Sequence, residues 1–358
     1  MRSIHHTILE QIRKGSRTVL ATVVRSAGST PQKPGSAALF GEEGLLGGTV
    51  GGGLLEGEVQ HIAQKVITSG ISDQFYFNLD TDQDEEGAIC GGEAEVLIDS
   101  HPELHLKALE EMEQALALRN SGFMLTLVSK KHDLGRIIQR YWIPALDHMK
   151  IPSGLDRSLE EAIPGHKKQA TRYGFTEIVF QQTDQNQTDF AFLEHIQPKP
   201  HLVIAGAGHV GKALAHVGAL LEFEVTVVDD REEFANAENI PDADHLIIND
   251  VGKAMEELEP GPETYIVIVT RGHNHDAEAL MPCIDSEAAY IGMIGSTHKV
   301  GIMKKRFIEE KRATPEQWER IHTPIGLPIG SKTVQEIAIS IAAQLVEVRS
   351  KKTKPHGE

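Results

Sequence analysis

The spacing of apolar residues changes along the chain. At the start, "IHHTILEQIR" (4–13) has helical spacing and predicts a helix that ends near Gly15. The β-branched runs at 18–24 and 36–40 predict strands, separated by a loop rich in proline and glycine, "RSAGSTPQKPG". After a glycine cluster at 47–53, Leu55, Val59, Ile62, Ala63 and Val66 fall on one face of a helix over 54–67. Strands are predicted at 73–79, 91–99 and 122–130, and a helix of strong helix formers at 102–119. The stretch 141–187 is polar, broken by prolines, and reads as a peripheral part of the first domain.

The pattern changes after "QPKP" (197–200), where each proline fixes φ and extends the residue before it. Apolar runs at 201–205, 224–230, 245–250, 264–270 and 288–296 alternate with helical segments, the first over 209–223. Continuous apolar strands joined by helices predict a parallel sheet covered on both faces. A last helix begins at Thr333 with a Thr-Val-Gln-Glu capping box, and its Val334, Ile337, Ala338, Ile341, Ala342 and Leu345 form one apolar stripe. The fold class is therefore α/β: an N-terminal mixed α/β domain, then a Rossmann-type, doubly wound parallel sheet. The predicted domains are 1–196 (motif core 8–100, peripheral part 101–196) and 197–350, with a flexible tail at 351–358.

Of the 358 residues, 40% are hydrophobic and 24% charged, an ordinary globular balance. The formal net charge of −17 disfavours phosphate backbones, so nucleic acid is not an expected partner. No run approaches the ~18 apolar residues that span a bilayer, and the opening lacks the apolar stretch of a signal peptide. Membrane association is not expected and a cytoplasmic location is. The two cysteines, Cys90 and Cys283, form no CxxC pair, which argues against a disulfide scaffold or a zinc ribbon.

"GAGHVG" places Gly206, Gly208 and Gly211 between a strand and a helix opened by His209 and Val210. The three glycines suit a tight turn, a close approach of pyrophosphate, and close helix–strand packing. Asp229 ends the next strand, where a ribose hydroxyl would be held, with Arg231 beside it. "TRGHNHDAEAL" puts Arg271, His273, His275 and Asp276 after the fourth strand, and "YIGMIGSTHKVG" puts Gly295, Ser296 and Lys299 after the fifth. These positions make up the candidate site for NAD(P) or another nucleotide. His273, His275 and Asp276 could hold a metal or serve as acid–base groups; equally, Asn274 or Asp276 could simply cap a helix.

In the first domain, "CGGE" sets Cys90 before Gly91, Gly92 and a strand. A thiolate there could be a soft metal ligand, a sulfur acceptor or a nucleophile, and the alternative is a buried apolar cysteine. Cys283, on a helix, reads as core. The cluster at 47–53 is either a nest of N–H donors for an oxyanion or a turn that needs φ > 0.

Eight segments in this order resemble the XdhC/CoxI family of molybdenum-cofactor maturation factors. They include "ATVVRSAGSTPQKPGS", "GGTVGGGLLEGE", "CGGEAEVLI", "PKPHLVIAGAGHVGKALA", "VTVVDDRE" and "VTRGHNHDAEAL", and they cover roughly residues 8–100 and 190–347. The resemblance implies an accessory protein and not a catalyst of xanthine oxidation. Such a protein binds a molybdopterin-type molybdenum cofactor as cargo and protects it while a cysteine desulfurase supplies sulfur. It then delivers the cofactor to an apo molybdenum hydroxylase such as xanthine dehydrogenase. It also implies that Cys90 is tied to the cofactor, with Gly51, Gly52, Gly53, Glu56, Ser29, Gly91 and Gly92 around it. Relatives often carry an arginine near the place of Gln32; if that arginine meets the cofactor phosphate, Lys33 stands in for it here or the contact is missing. A homodimer is expected from the frequency of two-fold oligomers alone. The rival function is an NAD(P)-dependent oxidoreductase built on the Rossmann-type domain.

Overall fold

A computed structural model describes residues 4–30, 32–79, 92–130, 135–145, 155, 157–180 and 189–353, except for the side chains of 273, 274, 352 and 353. The chain divides into two compact units that part between Pro198 and Lys199.

The first unit begins with α1 (Ile4–Arg13), β1 (Val19–Gly28), β2 (Ala37–Gly41), β3 (Gly44–Gly48) and α2 (Gly53–Ser69). It continues with β4 (Asp73–Asn78), β5 (Gly92–Asp99), α3 (Leu106–Ala117), β6 (Gly122–Lys130) and β7 (Arg136–Pro144). It closes with α4 (Arg157–Tyr173), β8 (Phe175–Ile178) and β9 (Phe190–Ile196). One antiparallel sheet runs β3-β2-β1-β5-β4 and a second runs β7-β6-β9-β8.

The layers follow from the alternation along β1. Val19, Ala21 and Val23 face α2 and pack with Leu55, Val59, Ala63 and Val66. On the other face Val24, with Leu97 of β5, meets Val128, Ile138, Phe190 and Phe192 of the second sheet. Both faces of β1 are covered, which is why its sequence reads as a continuous apolar run. The outer face of the second sheet is closed by Leu159, Ile163 and Ala170 of α4. Arg25 ties the sheets together, donating to Glu95 of β5 at 2.8 Å and, through Nε, to Glu177 of β8 at 2.8 Å.

Two expectations need correction. The stretch 101–196 is not peripheral, because it supplies a whole sheet and most of the core shared between the two sheets. It was hard to read because α4 carries Pro164 and many charged residues, and β8 is only 4 residues long. Part of the glycine cluster is also a strand, β3, on the sheet edge.

The second unit contains β10 (His201–Ala205), α5 (His209–Leu220), β11 (Glu224–Asp229), β12 (His245–Ile248), α6 (Val251–Glu257) and β13 (Thr264–Ile268). It ends with α7 (His273–Leu280), β14 (Tyr290–Met293), α8 (Thr297–Glu309), α9 (Pro315–Glu319), β15 (Ile321–His322) and α10 (Val334–Thr353). Its six strands are parallel, in the order β12-β11-β10-β13-β14-β15. This is the doubly wound order, with the reversal between β10 and β13. Helices α5 and α10 cover one face through Leu214, Ala215, Ala338, Ile341 and Leu345. Helices α6, α7 and α8 cover the other through Met255, Leu280 and Phe307. The capping box is present: Glu336 N–H donates to Thr333 Oγ1 at 3.2 Å, and Thr333 N–H donates to Glu336 Oε2 at 2.8 Å. Buried Cys283 belongs to this core, and burial pushes its thiol up to about 12.

Candidate functional site

In the first sheet, β1 and β3 run one way and β5 the other. The end of β1, the end of β3 and the start of β5 therefore point to the same end of the sheet, with Gly48 of β3 level with Ala21, well short of the Gly28–Gly92 pair. Ser29 and Lys33 follow β1, the bend through Gly51, Gly52 and Gly53 follows β3, and Gly92 opens β5. Ser29 and Lys33 are exposed. Gly92 pairs with Gly28, and a Cβ on it would lie 2.7 Å from Ala27 O. Cys90 and Gly91 lie outside the described residues.

The bend depends on glycine for two reasons. A Cβ at Gly48 would stand 2.1 Å from Ala37 O, so β3 closes tightly on β2. Gly51, Gly52 and Gly53 take φ of 136°, 68° and 55°, a run that L side chains avoid. Nothing lies within 4 Å of a Cβ at Gly52 or Gly53, so this backbone faces open space. Glu56 folds the bend back: its Oε2 accepts from Thr49 Oγ1 at 2.7 Å and from Val50 N–H at 3.3 Å. Gly51 N–H donates to Thr49 Oγ1 at 3.1 Å. Glu56 and Thr49 thus shape the cradle from inside, and the first-turn N–H groups of α2 remain at its mouth. The role of Thr49 was missed in the sequence, although a hydroxyl seven residues before a helical Glu was the available signal.

In the second unit, the parallel strands bring Gly206, Asp229, Thr270 and Gly295 to one carboxyl edge. The three glycines of "GAGHVG" separate by environment. Gly206 has φ 117° and would place a Cβ 2.5 Å from Val269 O; a Cβ on Gly211 would lie 1.8 Å from Gly206 O. Gly208 has an unstrained φ of −70° and no neighbour within 4 Å. His209 is exposed and Val210 half-buried at the start of α5.

Asp229 is buried and fully engaged. Its Oδ2 accepts from Ala207 N–H at 2.7 Å and Arg231 Nη2 at 2.9 Å. Its Oδ1 accepts from Arg231 N–H at 3.1 Å and Arg231 Nε at 2.8 Å. Burial pushes this carboxyl up, but the bonds from Arg231 and Ala207 outweigh it and hold it down at about 2. The Arg231 guanidinium also stacks 3.9 Å over the Phe234 ring, and Arg271 donates to Asp230 at 3.2 Å. Thr270, Asp276, Gly295, Ser296 and Lys299 line a cavity of about 240 Å³ at the same edge. Asp276 accepts from Thr270 Oγ1 at 2.6 Å, while His275 Nδ1 lies 3.1 Å from Glu278. Among the described residues no three His, Cys, Asp or Glu side chains converge as a metal site.

Comparison with known proteins matches each unit to its own family description. The description "XdhC and CoxI family" matches residues 11–78, and "XdhC Rossmann domain" matches residues 202–345. The chain belongs to the XdhC and CoxI family. It is 25% identical to a probable xanthine dehydrogenase subunit of Bacillus subtilis (strain 168), over 97% of this chain and 98% of that protein. It is 37% identical to "Uncharacterized protein YqeB" of Escherichia coli (strain K12) over 42% of this chain, a segment that spans 28% of YqeB. A solved structure described as a xanthine dehydrogenase from Bacillus halodurans has the same fold. Its TM-score is 0.77 at 24% identity, covering 99% of this chain and 98% of that one. The 11–78 match of this XdhC-family chain contains the Ser29–Lys33 loop and the Gly51–Gly53 bend. The 202–345 match contains every residue of the carboxyl edge. Among the described residues, no helix is long and apolar enough to cross a membrane.

Proposed function

We propose that this XdhC-family chain is an accessory factor in the maturation of a xanthine dehydrogenase-type molybdenum hydroxylase. Its first unit takes a pterin-type molybdenum cofactor as cargo. The observation that carries the reading is that Ser29 and Lys33, the Gly51–Gly53 bend and Gly92, two residues after Cys90 in the sequence, follow or open strands that point to the same end of the first sheet. The cargo is an anionic pterin with a phosphate and a soft metal centre. Bare backbone at Gly52 and Gly53 can approach oxyanions without bulk, and a nest of N–H groups suits them. Exposed Lys33 supplies a cation toward the same end of the sheet. A thiolate at Cys90 would suit molybdenum or a sulfur in transit. The full-length likeness to a protein named as part of a probable xanthine dehydrogenase supports the choice of recipient.

In this reading a cysteine desulfurase is the sulfur donor, the apo-hydroxylase is the acceptor, and the factor works in the cytoplasm as a homodimer. The test is to purify the chain from molybdenum-replete cells and measure bound pterin by fluorescence after oxidation. Cys90→Ala and Gly52→Val variants are carried alongside. Wild type should hold pterin and both variants should lose most of it. Wild type that neither carries pterin nor takes it up defeats the proposal.

A further inference from the structure

We infer that the crevice over Gly208 selects a dinucleotide bearing a phosphate on its adenosine ribose over one with a free ribose diol, and that Arg231 makes the choice. The first half of the argument is the fit of a dinucleotide as such. Gly208 sits at the start of α5, unstrained and with no atom within 4 Å of a Cβ, so a methyl there would fill the space a pyrophosphate enters. Gly206 and Gly211 are tightly packed below it. The cradle suits diphosphate.

The second half concerns the ribose. In folds of this type the acid ending the second strand holds the free ribose diol by accepting from its hydroxyls. A carboxylate offers about four acceptor positions. At Asp229 four donors already take them: Ala207 N–H, Arg231 N–H, Arg231 Nε and Arg231 Nη2, all between 2.7 and 3.1 Å. A diol would have to displace Arg231, breaking two charge-assisted bonds and its stack on Phe234.

A ribose phosphate brings acceptors instead of donors. Arg231 gives two of its guanidinium N–H groups to Asp229, and the remaining three of its five can turn to a phosphate. Arg271 adds a second guanidinium near the same strand end, joined to Asp230 at 3.2 Å. Against this stand the acids of the loop, Asp230, Glu232 and Glu233. Asp230 is paired with Arg271, while Glu232 and Glu233 are exposed, where salt screens them. The balance favours the fork geometry of Arg231, which matches phosphate oxygens bidentately.

The inference does not rest on the cargo proposal, since it concerns the other unit and another ligand. The full chain is titrated calorimetrically with NADP+ and separately with NAD+, as wild type and as Arg231→Met. NADP+ should bind wild type at least about tenfold tighter than NAD+, the scale of one or two charged hydrogen bonds. Arg231→Met should lose that advantage and bind NAD+ more tightly, because Asp229 regains acceptors. Should that variant fail to fold, Arg231→Lys keeps the charge without the fork and should narrow the ratio. The inference is overturned if NAD+ binds wild type as tightly as NADP+, or if neither saturates. It is also overturned if Arg231→Met weakens both equally, or if a folded Arg231→Lys keeps the wild-type ratio.

Discussion

Two alanine substitutions, three residues apart in one motif, should behave in opposite ways. At Gly211 an added Cβ would stand 1.8 Å from Gly206 O and 3.0 Å from Gly206 C, both backbone atoms that cannot rotate aside. Helix α5 must therefore lift from β10, at a cost of about 3 kcal/mol or more. For a unit of this size that corresponds to a drop in melting temperature of roughly 6–12 °C. At Gly208 the same methyl meets nothing within 4 Å and the backbone, φ −70° and ψ −172°, is one alanine adopts freely. The loss of a good N-cap residue costs a few tenths of a kcal/mol or somewhat more, and the stiffer unfolded chain returns about 0.4–1 kcal/mol. The Gly208→Ala protein should therefore melt within a few degrees of wild type. The inferred dinucleotide would approach where this methyl stands, so nucleotide affinity should fall by about tenfold or more. Calorimetric unfolding and titration of both variants provide the check. Equal melting shifts in the two would refute the division of labour among the glycines, and so would wild-type nucleotide affinity in Gly208→Ala.

In the first unit, Asp99 is buried with Arg140 and His105, accepting from both, with His105 Nε2 at 3.2 Å. Asp99→Asn leaves the Arg140 charge uncompensated and should destabilise the unit by about 3–5 kcal/mol in urea unfolding. Burial raises the Asp99 carboxyl, but the Arg140 charge and the His105 bond outweigh it and set it well below the usual range. A depressed folded pKa means stabilisation that is full above the unfolded value, about 3.9, and lost as pH falls below it. Asp99→Asn should therefore flatten the acid limb of a pH–stability curve; an unchanged slope would refute the pairing. At Gly52, with φ 68° and ψ −173°, alanine should cost about 1–3 kcal/mol and reduce pterin content, and a variant with full pterin would contradict the open-cradle reading. In a Cys90→Ala chain, Cys283 should resist alkylation at pH 8 until the protein unfolds, since burial raises its thiol to about 12; rapid native labelling would refute this.

How legible each part was follows from how it is buried. The strands of the second unit are covered on both faces, so they appear as unbroken apolar runs such as "HLVIA", and the glycines between them have separate steric reasons. Only β15 was hidden, because two residues carry no period. The second sheet of the first unit was hidden for other reasons. Strand β7 mixes Gln139, Arg140 and Tyr141 among apolar residues, and α4 tolerates Pro164 because Leu159, Ile163 and Ala170 still anchor it. The motif residues themselves were visible in the sequence. Their placement toward one end of the sheet was not, since it depends on the antiparallel order of β3, β2, β1 and β5, which no local pattern encodes. The filling of Asp229 was equally invisible: "DDR" reads as a free acid followed by a base until the guanidinium is seen to turn back.

The two glycine clusters have one logic between them. Each contains glycines held against backbone, Gly48 at 2.1 Å from Ala37 O and Gly211 at 1.8 Å from Gly206 O, where any side chain would separate two elements. Each also contains glycines with nothing near them, Gly52 and Gly53 in one and Gly208 in the other, all at a helix start on a sheet edge. Packing explains the first kind completely. It cannot explain the second, because an empty surround gives no steric reason to avoid a side chain. At Gly52 and Gly53 the positive φ is a partial reason, but at Gly208 φ is −70° and backbone strain supplies none. Two reasons remain for Gly208: glycine fills a helix N-cap better than alanine, and the dinucleotide inferred above would come closer than a methyl allows. By the same reasoning, substitutions at the packed glycines should be read out in stability, and substitutions at the open ones in binding.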